Sequence, residues 1–205
     1  MSKTLWWILG GVVGLGLIFW MAISIATEPT FDSSSEFGEV VVDGDPLPVL
    51  GGPGAPDPAL GTVAPSVTGS DWDGNTFHIG PDGRPKILLF LAHWCPHCQA
   101  EVPEVVTWLD QGGLPETVDM YTLSVAADPT RPNFPPRAWL EREGWTLPVI
   151  RDDQAGSAVR AYGMSGTPFY VVLDGHNRVL LRAAGRIGVE GLNALVGLAV
   201  QGATG

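Results

Sequence analysis

The chain contains two cysteines, and both lie in the segment Trp94-Cys95-Pro96-His97-Cys98. The apolar run 86–92 before this segment predicts a buried β-strand, and apolar residues at helical spacing after it predict an α-helix that extends to Leu109. A C-x-x-C pair between a strand and a helix is typical of a thiol–disulfide exchange site. The pair therefore predicts an α/β fold with its reactive centre at the end of a strand.

The start of a helix favours the chemistry of such a pair. Cys95 falls in the first turn, where unpaired backbone N–H groups and the helix dipole stabilise the thiolate that exchange requires. Pro96 suits the first helical position, and a protonated His97 would stabilise the thiolate further. Cys98 lies one turn along, within reach to close the disulfide. We predict that Cys95 is the solvent-accessible nucleophile, with a lowered pKa, and that Cys98 is shielded.

Other uses of the pair fit less well. A structural zinc site needs four ligands, and the chain has no further cysteine. A c-type haem site requires histidine at position 99, which is Gln99. Cysteines with a histidine can hold Cu(I), so copper handling stays open as an alternative function. For the exchange reaction we expect no metal and no other cofactor.

Residues 5–26 carry no charge, and their 22 positions are enough to span about 30 Å of hydrocarbon. Lys3 lies in the short end 1–4, and acidic residues follow the span, which predicts a cytoplasmic amino terminus and an extracytoplasmic remainder on the periplasmic side. The alternative is a cleaved signal peptide ending at Ala26. A retained anchor is favoured because the apolar run exceeds the usual 7–15 residues of a signal sequence.

The rest of the chain divides into two parts. Residues 27–65 hold seven acidic residues, seven prolines and no Lys or Arg, a composition that predicts a flexible acidic linker. Residues 66–203 are long enough for one domain with a substantial core. The formal net charge of −11 argues against nucleic acid or an anionic lipid surface as a partner.

Within this domain, strands and helices alternate and are followed by a hairpin and a helix. This order predicts an α/β sandwich with a central mixed sheet. The predicted strands cover 76–79, 86–92, 118–126, 148–151, 168–173 and 179–184, and the later helices cover 137–143, 154–162 and 189–200. Trp139 and Trp145 are expected in the core or in surface contacts, and His93 is expected on the surface.

The domain resembles the membrane-anchored, thioredoxin-like TlpA/ResA family. The matching residues are 73–75 (Asp-Gly-Asn), 94–98, Glu101, Pro103, 161–168 and 174–175 (Asp-Gly). The resemblance implies a thioredoxin-like fold and an extracytoplasmic thiol–disulfide oxidoreductase, often one that acts in cytochrome c maturation. It also implies cysteine-containing proteins as substrates and an electron donor in the membrane.

The resemblance also assigns roles outside the cysteine pair. Pro168 would be cis and face the pair, and Thr167 would offer its backbone to a bound cysteine-containing segment. Glu101 would lie near the site and tune thiol acidity, although an ordinary solvated helix glutamate is the alternative. Trp94 would shield the disulfide.

The direction of exchange is open at this point. The dipeptide Pro96-His97 between the cysteines resembles the oxidising DsbA proteins, whereas the chain as a whole resembles the reducing TlpA/ResA type. Like-charge repulsion from Glu101 would raise the pKa of the thiol and make the couple more reducing. We expect a reductant, with a DsbA-like oxidase as the alternative.

Overall fold

The computed structural model describes residues 33–202. The predicted cytoplasmic end at 1–4 and the predicted span at 5–26 lie outside these residues. In the part of the chain that is described, no helix combines the length and apolar character needed to cross a membrane.

Five strands form the main sheet. They are β4 (Lys86–Leu91), β5 (Asp119–Ser124), β6 (Val149–Arg151), β7 (Phe169–Leu173) and β8 (Val179–Ala184), in the order β6-β5-β4-β7-β8. β4 runs parallel to β5, and β5 runs parallel to β6. β7 is antiparallel to both of its neighbours, β4 and β8. The central mixed sheet predicted from the sequence is confirmed.

Helices cover both faces of this sheet, which explains why β4 is buried along its whole length. The helices are α1 (Pro96–Asp110), α2 (Pro136–Arg142), α3 (Ser157–Ala161) and α4 (Gly188–Gly202). Side chains of β4 alternate between the two faces: Leu89 packs in a core with α1, α2 and α4, and Leu88 packs in a core with α3. The sandwich prediction is therefore confirmed.

A second sheet was not predicted in full. It joins β1 (Val41–Asp43), β2 (Ser66–Ser70) and β3 (Thr76–Ile79) in an antiparallel order β1-β2-β3. Only β3 has the expected bounds. β1 and β2 are short and carry polar residues, so they lack the long apolar run that reveals a strand.

The prediction of a flexible linker is wrong for residues 33–65. This segment contains β1, and its Leu47 and Ala59 are buried in the core on the α3 side of the sheet. The backbone N–H groups of Leu47 and Leu50 donate to the carbonyls of Ala161 and Gly163, both at 2.9 Å. The ordered domain therefore begins well before residue 66.

A buried ion pair fixes this segment. The side chain of Arg182, on β8, is completely buried, and its Nε donates to Oδ2 of Asp57 at 3.0 Å. Its Nη1 donates to the carbonyls of Pro48 and Tyr162, both at 2.8 Å. The composition of the segment did not reveal this because the partner groups belong to the domain that follows.

Candidate active site

The cysteine pair lies where β4 gives way to α1. Cys95 is the N-cap residue of α1, with extended backbone angles (φ −74°, ψ 120°), and Pro96 begins the helix. The N–H of Cys95 donates to the carbonyl of Ala92 at 3.0 Å, and the carbonyl of Cys95 accepts from the N–H of Gln99 at 3.0 Å. The predicted placement at a helix start is confirmed.

The structure encloses both sulfurs. Cys98 is fully buried, as expected, but only 6% of Cys95 is exposed, so the prediction of an accessible Cys95 is wrong. The reason is the chain that faces it: Sγ of Cys95 donates to the carbonyl of Thr167 at 3.3 Å.

The surroundings drive the two thiol pKa values in opposite directions. Burial raises the pKa of Cys95, but hydrogen bonds from the Thr167 side chain and from the N–H groups of Cys98 and His97 outweigh it, and the pKa lies below its ordinary value. Burial raises the pKa of Cys98 to about 12. Because the thiolate is the nucleophile, Cys95 is the sulfur able to attack at neutral pH.

The dipeptide between the cysteines faces solvent. Pro96 and His97 are both exposed. His97 acts on the Cys95 sulfur through its backbone N–H, as noted above. The contribution of this residue therefore depends on the helix start rather than on a charged imidazole.

The second part of the site is the turn before β7. The Thr167–Pro168 peptide bond is cis, as the resemblance implied, and the Thr167 carbonyl faces Cys95. The carbonyl of Pro168 accepts from the N–H of Gly185 at 2.8 Å, which ties the turn to the end of β8. The structure contains a second cis peptide bond, between Phe134 and Pro135, which was not predicted from the sequence.

Glu101 is fully buried one turn beyond Cys98, so the solvated alternative is wrong. Its Oε1 accepts from the Tyr170 hydroxyl at 2.6 Å and from the N–H groups of Ile187 and Gly188 at 3.1 and 3.3 Å. Its Oε2 accepts from Nε of Arg186 at 3.2 Å. The carboxylate is therefore compensated by a cation and three donors, which weakens the like-charge repulsion expected at the cysteines.

Tyr170 and Arg186 are site residues that sequence reasoning missed. Tyr170 lies on β7, where its pKa is raised first by burial and then by its bond to Glu101. Arg186 lies between β8 and α4 and also pairs with the surface residue Glu104. One signal was available: Glu101 lies three residues after Cys98 and four before Val105, on the apolar face of α1.

Trp94 borders the site, and its indole ring is held by residues outside the cysteine pair. Its indole N–H donates to the carbonyl of Ala126 at 2.8 Å. The guanidinium carbon of Arg131 lies 4.7 Å from the centre of the ring, a cation–π contact. These contacts fix the indole plane beside the cysteine pair, consistent with a shielding role.

His93 was expected on the surface but is 1% exposed. Its Nδ1 bonds the carbonyl of Pro132 at 2.7 Å, and its Nε2 accepts from the N–H of Asp128 at 3.1 Å. Because a carbonyl can only accept, Nδ1 carries the proton and the ring is neutral; burial lowers its pKa accordingly. The imidazole ring therefore holds the loop that contains Asp128 and Pro132 in place. The sequence alone does not reveal this long-range contact.

Among residues 33–202, no three His, Cys, Asp or Glu side chains are grouped as they would be in a metal site. The two cysteines are free thiols. The arrangement thus consists of one thiolate-forming sulfur, one buried sulfur beside it, and a backbone turn that faces the first.

Comparison with known proteins identifies the family and the fold. A family model described as Redoxin matches residues 59–194. StoA from Bacillus subtilis shares 20% identity and a TM-score of 0.55, covering 67% of this chain and 98% of that one. A putative thiol:disulfide interchange protein DsbE from Chlorobium tepidum shares 20% identity and a TM-score of 0.56, covering 70% and 97%.

A third structure, MTB dsbF in mixed oxidised and reduced forms, shares 24% identity and a TM-score of 0.52, covering 63% of this chain and 92% of that one. No curated protein sequence matches the chain. At these identities the structural likenesses establish the fold, which is thioredoxin-like.

Proposed function

The chain belongs to the Redoxin family of thiol–disulfide oxidoreductases, and we propose that it reduces disulfides of extracytoplasmic proteins through Cys95 and Cys98. The observation that carries this proposal is the split between the two sulfurs. Cys95, whose pKa is lowered, faces the turn at Thr167 and Pro168, while Cys98, with its pKa near 12, is buried behind it.

The reaction that this geometry supports has two steps. The Cys95 thiolate attacks one sulfur of a substrate disulfide, which forms a mixed disulfide and releases the other sulfur as a thiol after it takes up a proton. Cys98 then loses its proton and attacks Sγ of Cys95, which releases the second substrate thiol. The substrate gains two electrons and two protons, and the enzyme is left with a Cys95–Cys98 disulfide.

Thr167 and Pro168 would hold the substrate during these steps. Proline has no backbone N–H, so Pro168 cannot donate a hydrogen bond within the turn. The backbone of Thr167 therefore remains available to pair with an incoming substrate segment. In the reduced protein the Thr167 carbonyl accepts from the Cys95 thiol. Ionisation of Cys95 frees that carbonyl, so the same event activates the nucleophile and opens the binding position.

The proposed direction is reduction, because the reduced form is only moderately stabilised. A strong oxidant owes its potential to a reduced form stabilised by a very acidic thiol. Here burial opposes the hydrogen bonds that lower the pKa of Cys95, and His97 acts through its N–H while its side chain is exposed. Both features favour a more reducing couple than the dipeptide alone suggests.

The proposal extends to the place and the partners of the reaction. The uncharged run 5–26, with Lys3 before it and acidic residues after it, supports a single membrane anchor with the domain on the periplasmic side. A protein that leaves each cycle as a disulfide needs a reductant, and an anchored domain would receive electrons from a membrane carrier. Apocytochrome c cysteines are the substrate class suggested by the resemblance to the TlpA/ResA family.

Equilibration of the full chain with glutathione redox buffers tests the direction. We expect a reduction potential between about −270 and −120 mV, in the more negative half of that interval. The oxidase is the second candidate, favoured by the lowered pKa of Cys95 and by the dipeptide Pro96-His97. A potential near −120 mV, together with oxidation of a reduced model protein, would establish the oxidase instead.

A further inference from the structure

A cleft of about 510 Å³ opens beside the cysteine-facing turn. One wall is the loop 50–55, and the opposite wall is formed by Ser165, Ala183 and Ala184. We refer to it as the side cleft. The function proposed above uses only the turn itself and leaves this space unassigned.

The side cleft lies near the turn that faces the reactive sulfur. Ser165 lies two residues before Thr167, whose carbonyl is 3.3 Å from Sγ of Cys95, and two residues of extended chain span at most about 7 Å. From the other wall, Ala184 directly precedes Gly185, which is bonded to the Pro168 carbonyl. A polypeptide bound along the turn would therefore pass into the cleft within a few residues of its cysteine.

The loop wall is held in place on both sides. Leu50 is bonded to the Gly163 carbonyl, and Asp57 is paired with the buried Arg182. Between them the N–H of Ala55 donates to the carbonyl of Gly52 at 3.0 Å, which closes the loop on itself. These contacts fix the loop wall of the cleft within the fold. The wall belongs to the segment 33–65, whose composition predicted a flexible linker.

The cleft offers space, and few of the side chains that line it are polar, although polar atoms make up nearly half of its exposed lining. Apart from Arg182, whose charge is compensated by Asp57, the lining side chains are those of Leu50, Gly51, Gly52, Pro53, Gly54, Ala55, Ser165, Ala183 and Ala184. A Cβ built on Gly52 would meet no atom within 4 Å. Small, uncharged walls around an open volume fit a large apolar side chain and disfavour a charged one, which would lose its hydration without a partner.

Gly166, within the turn, also indicates that the space beside the reactive sulfur is kept open. Its φ is not in the left-handed region, and an added Cβ would meet nothing within 4 Å, so neither backbone conformation nor packing within this chain requires a glycine. A glycine between Ser165 and Thr167 instead keeps the path from the sulfur to the cleft free of side chains.

We propose that the side cleft selects substrates that carry a bulky apolar residue, aromatic or aliphatic, close to the reactive cysteine. This inference rests on the proposed thiol–disulfide exchange and assigns its substrate preference to residues 50–55 and to the end of β8. The preference arises because a side chain that leaves water for the cleft stabilises the enzyme–substrate complex in proportion to its buried apolar area.

Short peptides joined to glutathione by a disulfide test the proposal. The peptides are identical except for Phe, Ala or Glu placed two or three residues to either side of the single cysteine. The reduced full chain should cleave the Phe peptide, at its best position, with a kcat/KM about tenfold or more above that of the Ala peptide. The Glu peptide should be no better than the Ala peptide.

Variants that fill the cleft complete the test. Gly52→Leu and Ala184→Leu, from opposite walls, should each abolish the preference for Phe while the Ala peptide keeps its rate within about twofold. Gly197→Leu on α4, where an added Cβ also meets nothing within 4 Å, is the matched control and should keep the preference. If Gly52→Leu reacts poorly with every peptide, the Phe-to-Ala rate ratio of Ala184→Leu is the result that tests the preference.

Equal rates for the three peptides in the unaltered protein, or a preference for Phe that survives both filling substitutions, would overturn the proposal while leaving the exchange reaction intact. Failure of the unaltered protein to cleave any of the peptides would instead contradict the proposed function, and the substrate preference would fall with it.

Discussion

At the scale of residues, depth separates the roles of the two sulfurs. Cys95 is the N-cap residue of α1, so the free backbone N–H groups of the first turn, those of His97 and Cys98 among them, lie close to its sulfur and lower its pKa. Cys98 lies within the helix and among apolar side chains, where a thiolate would be poorly solvated. One helix start thus creates both an activated nucleophile and a protected second thiol.

Alkylation of the reduced protein should therefore be selective. A small reagent such as iodoacetamide should modify Cys95 first, with a rate that rises to half its maximum below about pH 8.5, the ordinary value for cysteine. Cys98 should stay unmodified across the neutral range because burial raises its pKa to about 12. Mass spectrometry of the digested protein measures both rates, with Cys95→Ser and Cys98→Ser as controls. Parallel labelling of the two cysteines would contradict the assignment.

The ion pair between buried Glu101 and partly exposed Arg186 predicts opposite effects of two substitutions. Glu101→Gln removes a negative charge near the cysteines and should lower the pKa of Cys95, whereas Arg186→Met removes the cation that pairs with Glu101 and should raise it. Glu104→Gln alters only the more exposed partner of Arg186 and should have the smallest effect.

The pH profile of Cys95 alkylation and the reduction potential both report these changes. A lowered pKa should be accompanied by a more oxidising potential, and a raised pKa by a more reducing one. Shifts of the same sign in Glu101→Gln and Arg186→Met would show that the carboxylate acts through packing rather than charge.

At the scale of elements, the segment that precedes the main sheet contributes to the stability of the domain and forms one wall of the side cleft. Residues 50–57 lie against β8 and the turn before β7, held by Arg182. Arg182 has lost all contact with water, so its charge depends on Asp57 for compensation. The ion pair therefore controls both the stability of the domain and the loop wall of the side cleft.

Asp57→Asn should lower the free energy of unfolding by about 3 kcal/mol, because it strands a buried guanidinium. The hydrogen bond from Arg182 lowers the pKa of Asp57 although burial opposes it, so the folded-state pKa lies below the unfolded one. The stabilisation is thus present above about pH 3.9 and is lost as the pH falls through the lowered pKa.

Urea unfolding at neutral pH measures the loss. Asp45→Asn removes the same charge from an exposed position of the same segment and should change the free energy by no more than about 0.5 kcal/mol. Equal effects of the two substitutions would mean that residues 50–57 do not depend on the pair.

The elements differ in how far the sequence predicts them. β4 and β7 follow from continuous apolar runs, and α1 follows from the spacing of Cys98, Val102 and Val105. The mixed character of the main sheet follows from the alternation of strands and helices and the closing hairpin, whereas the order of its strands was not predicted. Residues 33–65 could not be assigned in this way, because their ordering depends on single long-range contacts such as that of Asp57 with Arg182, 125 positions away.

The same limit applies within the site. The identity of the reactive cysteines and of Thr167 and Pro168 follows from local motifs. The burial of Cys95 and His93, and the partners Tyr170 and Arg186 of Glu101, depend on segments that the fold brings together from 35 to 87 positions apart. Examples are the Asp128 N–H for His93 and the Gly188 N–H for Glu101. Such contacts leave no periodic signal in a single sequence.

At the scale of the whole molecule, the proposed reaction requires a compartment where protein disulfides exist and a source of electrons. The acidic domain carries most of a formal net charge of −11, which keeps it from anionic lipid surfaces. The uncharged run 5–26 would hold it at the membrane without such contact. The proposed anchor and the negative charge would together keep the domain near a membrane electron donor and accessible to soluble substrates.

If the domain is on the periplasmic side, as we propose, protease added to spheroplasts should degrade it. The mature protein should retain Met1 or Ser2, as expected of an anchor that is not cleaved, and should remain in the membrane fraction after washing with salt. A soluble mature form that begins at Thr27 would show that residues 5–26 are a signal peptide.

The mixed disulfide tests the central claim most directly. In Cys98→Ser the attack by Cys95 can proceed but resolution cannot, so incubation with a disulfide-containing protein substrate should trap a covalent complex joined at Cys95. Non-reducing gels should show the complex, reductant should dissolve it, and mass spectrometry should locate the bond at Cys95; Cys95→Ser with Cys98 intact should form little or none. Absence of the complex in folded Cys98→Ser, or a complex joined elsewhere, would contradict exchange through Cys95.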